Sequence, residues 1–388
     1  MSRILNISTA VPEFMTDKEE LTSFYARTVT TQNPEQFAQK INFLSRKTKI
    51  ETRYSCIPDF KGTNYELFID GNYKPTVERR MEIYSKKILP LASNAINKIF
   101  AESEIDPKEI THLITVSCTG LIAPGLEFLV AEQFGLQHTE KIALNFLGCY
   151  AALKALKHAH HIATSEPDAC ILILSAELCS LHFYPSDADE DIIANLLFAD
   201  GAAAVLMCGD RNKHSEKTVC LKIDDIGTAF IPNTAELMTW DITSSAFKMF
   251  LSPNVVGAIK ENIQDVVSEF LGTDVLQTDL WAIHPGGAKI VEAVQQSLKL
   301  SDENVADSMT VLKQYGNMSS PTILFILARM LDTIKANTEM DNKKIFACAF
   351  GPGLNVELLS LSSVYPNKNY VFQHSIKKQS RQKHVIKH

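Results

Sequence analysis

A cysteine stands where the sequence changes from a strand pattern to a helix pattern. Cys149 follows the strand-like run 145–148 and precedes a stretch of helix formers at 151–163. The unpaired N–H groups and the dipole at a helix N-terminus favour a thiolate, so this position suits a nucleophile. A buried structural cysteine is the commoner role at such a corner, so the chemical role depends on finding a partner base.

A histidine and an asparagine occupy two further boundaries between elements. His284 ends the apolar run 280–283 and is followed by Pro285, which fixes the backbone before a Gly-Gly turn. Catalytic groups usually stand at strand ends in α/β sheets, although His284 alone is also compatible with a structural role. Asn317 lies in the loop 315–321 before an apolar helix pattern, where it either caps that helix or donates its amide N–H to an oxyanion.

From residue 80 onward the pattern alternates between helices and short buried strands, which predicts a layered α/β fold. Apolar residues recur at the helical period over 80–102, 255–270 and 290–298. Strands of similar type fall on both sides of residue 220, which indicates two similar halves. The predicted strands are 113–116, 170–174, 202–207, 280–283, 345–350 and 355–361.

Length and composition limit the class of protein. The 388 residues correspond to two or three domains or to one duplicated α/β architecture, and 45% hydrophobic residues allow a large core. A net charge of −7 lacks the basic excess of a nucleic-acid-binding protein, and no apolar run is long enough for a membrane helix. No targeting segment is visible, so we expect a cytoplasmic protein whose 8 cysteines are free thiols.

A metal site is not predicted. His158, His160 and His161 fall in one helix pattern, which would place two imidazoles one turn apart. The sequence offers no clear third ligand for them.

Five sequence blocks together resemble one known family. They are Gly-Cys at 148–149, Leu-Phe-Ala-Asp-Gly-Ala-Ala at 197–203, Ile-His-Pro-Gly-Gly at 283–287, Tyr-Gly-Asn-Met-Ser-Ser at 315–320 and Ala-Phe-Gly-Pro-Gly-Leu at 349–354. In this order the blocks are similar to those of type III polyketide synthases, the chalcone synthase-like branch of the thiolase superfamily. The segment 238–249 resembles the bacterial members of that branch.

The resemblance implies a thiolase-like fold, an α/β body with five layers, αβαβα, and two similar halves. The N-terminal half, 1–220, would carry the nucleophilic cysteine, and the C-terminal half, 221–366, would carry the histidine and the asparagine. The last residues, 367–388, are basic and lack hydrophobic periodicity, which predicts a mobile tail. The resemblance also implies a homodimer.

The family's chemistry assigns a role to each of the three polar residues. Cys149 would take an acyl group from a CoA starter, as a thiolate paired with protonated His284. His284 and Asn317 would then donate hydrogen bonds to the thioester oxygen of malonyl-CoA and stabilise the enolate that forms when carbon dioxide leaves. Repeated extension and ring closure would give a small aromatic or a pyrone. The substrates would be malonyl-CoA and an acyl-CoA, with no metal, redox cofactor or carrier protein.

The resemblance also assigns residues to the substrate cavity. Phe198 falls at the gatekeeper position between the CoA tunnel and the cavity, and Met249 falls at the second gate, which is usually phenylalanine. Trp240 stands where plant enzymes often have glycine, so its ring should reduce the cavity and favour a small starter or few extensions. Cys118 and Ser319 are assigned to the cavity wall, although Cys118 is equally compatible with a structural role.

Recognition of CoA requires cations for its phosphates. Lys40 and Lys47 match two of the three basic positions that the family uses for this purpose. Phe43 occupies the third position, and Arg46 is a candidate to replace the missing cation.

Other classes share part of this pattern. An initiating ketoacyl carrier protein synthase or a hydroxymethylglutaryl-CoA synthase would keep the nucleophilic cysteine, but the first uses a carrier protein and the second needs a glutamate base that the sequence does not identify. A papain-like protease also orders Cys, His and Asn, but with a cysteine near the mature N-terminus and usually with disulfides. A non-catalytic binding protein of the same fold would be expected to have lost at least one of the three residues.

Overall fold

Strands and helices alternate along most of the chain in the computed structural model, which describes residues 1–62 and 64–366. The predicted mobile tail, 367–388, lies outside the described residues. The strands are β1 (Ser2–Ala10), β2 (Phe14–Asp17), β3 (Thr52–Ser55), β4 (His112–Ser117), β5 (Glu140–Asn145), β6 (Cys170–Leu178), β7 (Asp200–Gly209), β8 (Cys220–Phe230), β9 (Met238–Ile242), β10 (Phe247–Leu251), β11 (Leu280–Ile283), β12 (Lys344–Gly351) and β13 (Asn355–Val364). The helices are α1 (Lys18–Thr28), α2 (Pro34–Thr48), α3 (Val77–Glu102), α4 (Leu126–Phe134), α5 (Ala151–Ser165), α6 (Asp189–Leu197), α7 (Val255–Leu271), α8 (Ala288–Leu298), α9 (Ala306–Tyr315) and α10 (Thr322–Ala336).

A nine-stranded sheet joins the two halves of the chain. β1 and β8 pair antiparallel at its centre, with Arg3 opposite Lys222. The order outward from β1 is β7-β6-β4-β5, and the order outward from β8 is β13-β12-β11. In both directions the first two pairings are antiparallel and the third is parallel. The two halves therefore repeat one strand topology, as predicted.

Alternate residues of each half-sheet face different helices, because successive side chains of a strand point to opposite faces. Leu172 of β6 packs in a cluster with α3, whereas Ile171 packs in a cluster with α5 and α10. In the other half, Ala347 of β12 joins the cluster with α5 and α10, and Phe346 packs with α7 and α8. The order α3, half-sheet, α5 with α10, half-sheet, α7 with α8 is the five-layered αβαβα arrangement.

The sequence pattern predicts six of the nine sheet strands but not the central pair. Polar residues such as Asn6 and Ser8 are buried in β1, and the second half of β8 leaves the core, so its charged residues are exposed. Both features disturb the apolar pattern by which a buried strand is recognised. Within residues 1–62 and 64–366, none of the helices has the length and apolar character of a membrane span.

Candidate active site

Cys149 lies on the turn that joins β5 to α5. Gly148 has a φ of 89°, and an added Cβ would lie 2.7 Å from Cδ of Pro352, so the turn requires glycine. The turn brings Cys149 to the N-terminal end of α5, where it is 6% exposed. Its Sγ lies 3.6 Å from the hydroxyl oxygen of Ser319.

Burial decides the protonation state of Cys149. It raises the pKa of the thiol to about 11, while contacts with Ser319 and Asn317 act in the opposite direction. The sequence predicts a thiolate paired with protonated His284, but no hydrogen bond joins the two side chains in the described part of the chain. Burial disfavours both charges, so in this arrangement the thiol keeps its proton.

His284 follows the last residue of β11 and is held through its backbone. Its N–H donates to the carbonyl of Cys348 at 2.9 Å, and its carbonyl accepts from the N–H of Gly286 at 3.0 Å. The residue is 1% exposed, and neither ring nitrogen has a partner among the described residues. Burial lowers the pKa of His284 to about 3, so the imidazole is neutral and presents one donor and one acceptor to a substrate.

The side-chain amide of Asn317 has a defined orientation. Its Oδ1 accepts from the N–H of Ser319 at 2.8 Å and from the hydroxyl of Thr322 at 3.4 Å. Its Nδ2 donates to the carbonyl of Gly286 at 3.5 Å, two residues after His284 in the sequence. Because the oxygen is occupied, the NH₂ group is the part of the amide that is left to donate to a substrate oxygen.

Cys149, His284 and Asn317 line one small cavity of about 20 Å³. The two predicted gate residues, Phe198 and Met249, line the same cavity. Its volume corresponds to about one water molecule, so an acyl chain enters only when side chains of the wall move. The rest of the wall consists of Gly286 and five apolar side chains, those of Met238, Leu251, Ile259, Ile290 and Phe350.

Phe198 and Met249 also line a second cavity, of about 40 Å³, and so form the wall between the two. Trp240 lines the second cavity and lies opposite Met249 in the β9–β10 pair. Its indole N–H donates to the carbonyl of Cys118 at 3.0 Å, which fixes the ring. Trp240 therefore limits the volume of the second cavity, on the far side of Phe198 and Met249, rather than the volume of the cavity that contains Cys149.

His182 fills space beside Trp240, and the sequence analysis does not identify it. Its ring stacks on Phe247 at 4.4 Å, and Nε2 lies 2.7 Å from the carbonyl of Thr119. Nδ1 accepts from the N–H of Phe247 at 3.1 Å, so the proton of the neutral ring is on Nε2. His182 belongs to none of the five sequence blocks, so no motif pointed to it.

Cys118 contacts the turn between β5 and α5 that carries Cys149, and it does not line either of these two cavities. Its Sγ lies 3.1 Å from the backbone nitrogen of Gly148, which donates to it, and the residue is 2% exposed. Neither the 20 Å³ nor the 40 Å³ cavity has Cys118 in its lining. The placement corresponds to the structural alternative for this residue.

Glu177 is a second buried residue near Cys149 that the sequence analysis does not identify. It is fully buried and accepts from the backbone N–H of Cys118 and the hydroxyl of Thr119, both at 2.8 Å, and from the hydroxyl of Ser320 at 2.6 Å. Burial raises the pKa of Glu177 to about 7. A negative charge on Glu177 in turn raises the pKa of Cys149.

A cleft of about 570 Å³ lies next to the catalytic cavity and shares Leu251, Gly286 and Ile290 with it. Lys47, one of the two predicted CoA-binding lysines, lines this cleft. Its Nζ lies 4.0 Å from the centre of the Phe43 ring. The cleft is therefore a route by which a long substrate could reach the catalytic cavity from the surface.

Lys40, the other predicted CoA-binding lysine, does not line the cleft. Its Nζ lies 2.5 Å from Oδ1 of Asp189 and 2.6 Å from the carbonyl oxygen of Asp187. These contacts tie α2 to the start of α6 and satisfy the charge of Lys40 within the protein. The role of Lys40 in binding CoA stays a prediction, and it would require the ion pair with Asp189 to open.

The fold and the cavity together define a class of protein. A cysteine at a helix start, a neutral histidine and an oriented amide meet in one small cavity between two topologically similar halves, which is the arrangement of a thiolase-like condensing enzyme. Residues 1–211 match the family of chalcone and stilbene synthases, N-terminal domain, and residues 223–365 match the C-terminal domain of the same family. The chain belongs to this family of type III polyketide synthases, which are acyltransferases that use CoA thioesters.

Similar proteins come from bacteria, plants and algae. The chain is 29% identical over 323 residues to the alpha-pyrone synthesis polyketide synthase-like Pks18 of Mycobacterium tuberculosis, covering 82% of this chain and 81% of Pks18. It is 28% identical to type III polyketide synthase A of Arabidopsis thaliana, covering 93% and 92% of the two chains. The crystal structure of PKS-I from the brown alga Ectocarpus siliculosus matches 94% of this chain and 98% of its own, with a TM-score of 0.87 and 28% identity. These likenesses extend over most of the chain, as the resemblance of the sequence blocks predicts.

Proposed function

We propose that the chain transfers an acyl group from a CoA starter to Cys149, extends it with malonyl-CoA and closes the product to a small aromatic or a pyrone. The observation that carries this proposal is the shared lining of one small cavity by Cys149, His284 and Asn317. The adjoining cleft of about 570 Å³ supports a long, partly exposed substrate such as a CoA thioester.

In the first step, neutral His284 takes the proton of the Cys149 thiol while the sulfur attacks the starter thioester. The tetrahedral oxyanion is stabilised by the NH₂ group of Asn317, whose orientation is set by the backbone of Ser319. Collapse forms the acyl-cysteine thioester and releases the CoA thiolate, which takes the proton from His284. At the end of the step, His284 is neutral again and Cys149 carries the acyl group.

In the second step, malonyl-CoA loses carbon dioxide and leaves an enolate whose oxygen accepts hydrogen bonds from Asn317 and from the N–H of His284. The carbanion attacks the acyl carbon on Cys149, and the cysteine leaves as a thiolate. The small volume of the cavity, about 20 Å³, leaves little room for water beside a bound substrate, which limits protonation of the carbanion. The proposal calls for no metal, redox cofactor or carrier protein: the negative charge of the malonyl carboxylate passes to the enolate and then to the sulfur of Cys149.

The fixed side chains around the second cavity support a short acyl chain. The catalytic cavity and the space behind the gate amount to about 20 and 40 Å³, and Trp240 and His182 fill the region around the second. Met249 is flexible and can move aside for a substrate, whereas Trp240 is held by its hydrogen bond to the Cys118 carbonyl. Pks18 carries alpha-pyrone synthesis in its name, and lactone closure to a pyrone is one of the outcomes that a short chain allows.

The proposal includes a homodimer in the cytoplasm. The strand β5 lies at one edge of the nine-stranded sheet, with Ile142 and Leu144 partly exposed. An uncovered edge of this kind favours pairing with another strand, and a second copy of β5 would extend the sheet across a two-fold axis. Analytical ultracentrifugation of the purified protein tests this part: a monomer at micromolar concentration would contradict it.

The catalytic proposal is tested by mass spectrometry of products formed from labelled malonyl-CoA, alone and with a panel of acyl-CoA starters. We expect labelled pyrone or aromatic products that disappear in Cys149→Ala. Their masses give the starter and the number of extensions. Turnover with malonyl carrier protein, but not with any CoA starter, would instead favour an initiating ketoacyl carrier protein synthase.

A further inference from the structure

The cleft beside the catalytic cavity contains a cation that no sequence motif indicates. Lys289 lines the cleft together with Lys47 and is exposed. No hydrogen bond or ion pair of its side chain is present among the described residues, in contrast to Lys40, which is paired with Asp189. Lys289 is therefore available to an anionic ligand, whereas the charge of Lys40 is already matched.

Lys289 and Lys47 belong to different walls of the cleft. Lys47 lies in the last turns of α2, and Lys289 lies in the first turn of α8. The end of α2 is joined to α8 by an ion pair of 2.5 Å between Lys49 Nζ and Glu292 Oε1. Both lysines line the cleft, one from each helix, so a ligand in the cleft can contact both.

The wall that carries Lys289 leads directly to the catalytic residues. Gly286 and Ile290, on either side of Lys289, line both the cleft and the catalytic cavity. Gly287 and Ala288 line the cleft as well. A CoA thioester whose acyl end reaches Cys149 would therefore pass along this wall.

We propose that Lys289 binds a phosphate group of the CoA thioester, across the cleft from Lys47. The inference rests on the proposed function, which makes CoA thioesters the substrates. Phosphate oxygens are strong acceptors for a lysine ammonium, and CoA carries several of them at the end of its long arm. Lys289 thus supplies from α8 a cation that α2 lacks, since Phe43 occupies one of the three positions expected to be basic. Asp189 and Glu190 also line the cleft, but Asp189 is paired with Lys40.

Isothermal titration calorimetry of the full-length protein with CoA and with pantetheine tests this assignment. Pantetheine has the same thiol-bearing arm but no phosphate. We expect Lys289→Met to raise the Kd for CoA about three- to tenfold and Lys289→Arg to restore most of the affinity, because a single charged contact is removed and then replaced. The Kd for pantetheine should then be the same in wild type and Lys289→Met.

Lys260→Met is the matched control. Lys260 is exposed on α7, the helix that packs against α8, and its Nζ bonds to Gln296 outside the cleft. An unchanged Kd for CoA in Lys289→Met, or an equal loss in Lys260→Met, would overturn the inference. An equal loss for pantetheine would also overturn it, because the contact would then not involve phosphate. If wild type binds no CoA at all, the proposed function fails as well, and this result is distinct from the others.

Discussion

Phe198 and Asn317 face each other in an isolated parallel β-bridge. The N–H of Asn317 donates to the carbonyl of Leu197, and the carbonyl of Asn317 accepts from the N–H of Ala199, both at 2.9 Å. The gate ring and the catalytic amide are thus carried by one backbone connection between α6 and the loop before α10. Because the bridge uses only backbone atoms, the ring of Phe198 can be replaced without displacing the amide.

Replacement of the gate should therefore change substrate preference more than it changes the decarboxylation step. For Phe198→Leu we expect a shift toward bulkier acyl-CoA starters and less than a tenfold fall in carbon dioxide release from malonyl-CoA. Starter competition followed by mass spectrometry measures the first effect, and release of labelled carbon dioxide measures the second. A larger fall in decarboxylation with an unchanged starter preference would show that the ring positions the amide.

The amide of Asn317 should be required for decarboxylation. Asn317→Asp keeps the shape and the acceptor for the Ser319 N–H but removes the NH₂ donor. We expect decarboxylation of malonyl-CoA to fall about 10²- to 10³-fold, the usual cost of losing one oxyanion donor. Alkylation of Cys149 by iodoacetamide serves as the control for an intact site. Decarboxylation within threefold of wild type would contradict this role.

The sequence singles out the three polar residues of the cavity, but it does not reveal the residues that surround them. Cys149, His284 and Asn317 stand at element boundaries, where one residue type in one local pattern is informative. His182 and Glu177 contact the site through the tertiary fold, and their neighbours in sequence carry no motif. The ion pair of Lys40 with Asp189 likewise depends on how α2 packs against α6, which the sequence alone does not show. The protonation of Cys149 also depends on burial, which its helix position alone does not give.

Trp240 should limit the length of the product. Trp240→Gly removes the ring from the cavity behind the gate and leaves the carbonyl of Cys118 without the indole donor. We expect products with at least one more extension unit, detected by their mass after incubation with labelled malonyl-CoA. Trp240→Phe keeps most of the volume but loses the hydrogen bond, so it should retain the product length of wild type. Products of unchanged length from Trp240→Gly would contradict the proposed limit.

Glu177 should make the stability of the protein fall as pH rises through the weakly acidic range. Burial raises the pKa of Glu177 from 4.5 in the unfolded chain to about 7 in the folded protein. Between these values the unfolded state releases a proton that the folded state retains, so the free energy of unfolding decreases with increasing pH. The contribution of Glu177 to the free energy of unfolding is fully present below pH 4.5 and is lost as the pH rises through about 7.

Glu177→Gln removes this titration while keeping a side chain that can bond to the same groups. Its amide oxygen can accept from the N–H of Cys118 and the hydroxyl of Thr119, and its NH₂ can donate to Ser320.

Asp200 is also buried, with its pKa raised to about 6, and titrates in the same range. The informative quantity is therefore the difference in unfolding free energy between Glu177→Gln and wild type, measured by urea denaturation from pH 5 to pH 8. We expect this difference to move in favour of the variant as pH rises, and to stay constant for Glu269→Gln, an exposed change on α7. A pH-independent difference for Glu177→Gln would mean that Glu177 does not titrate in this range in the folded protein.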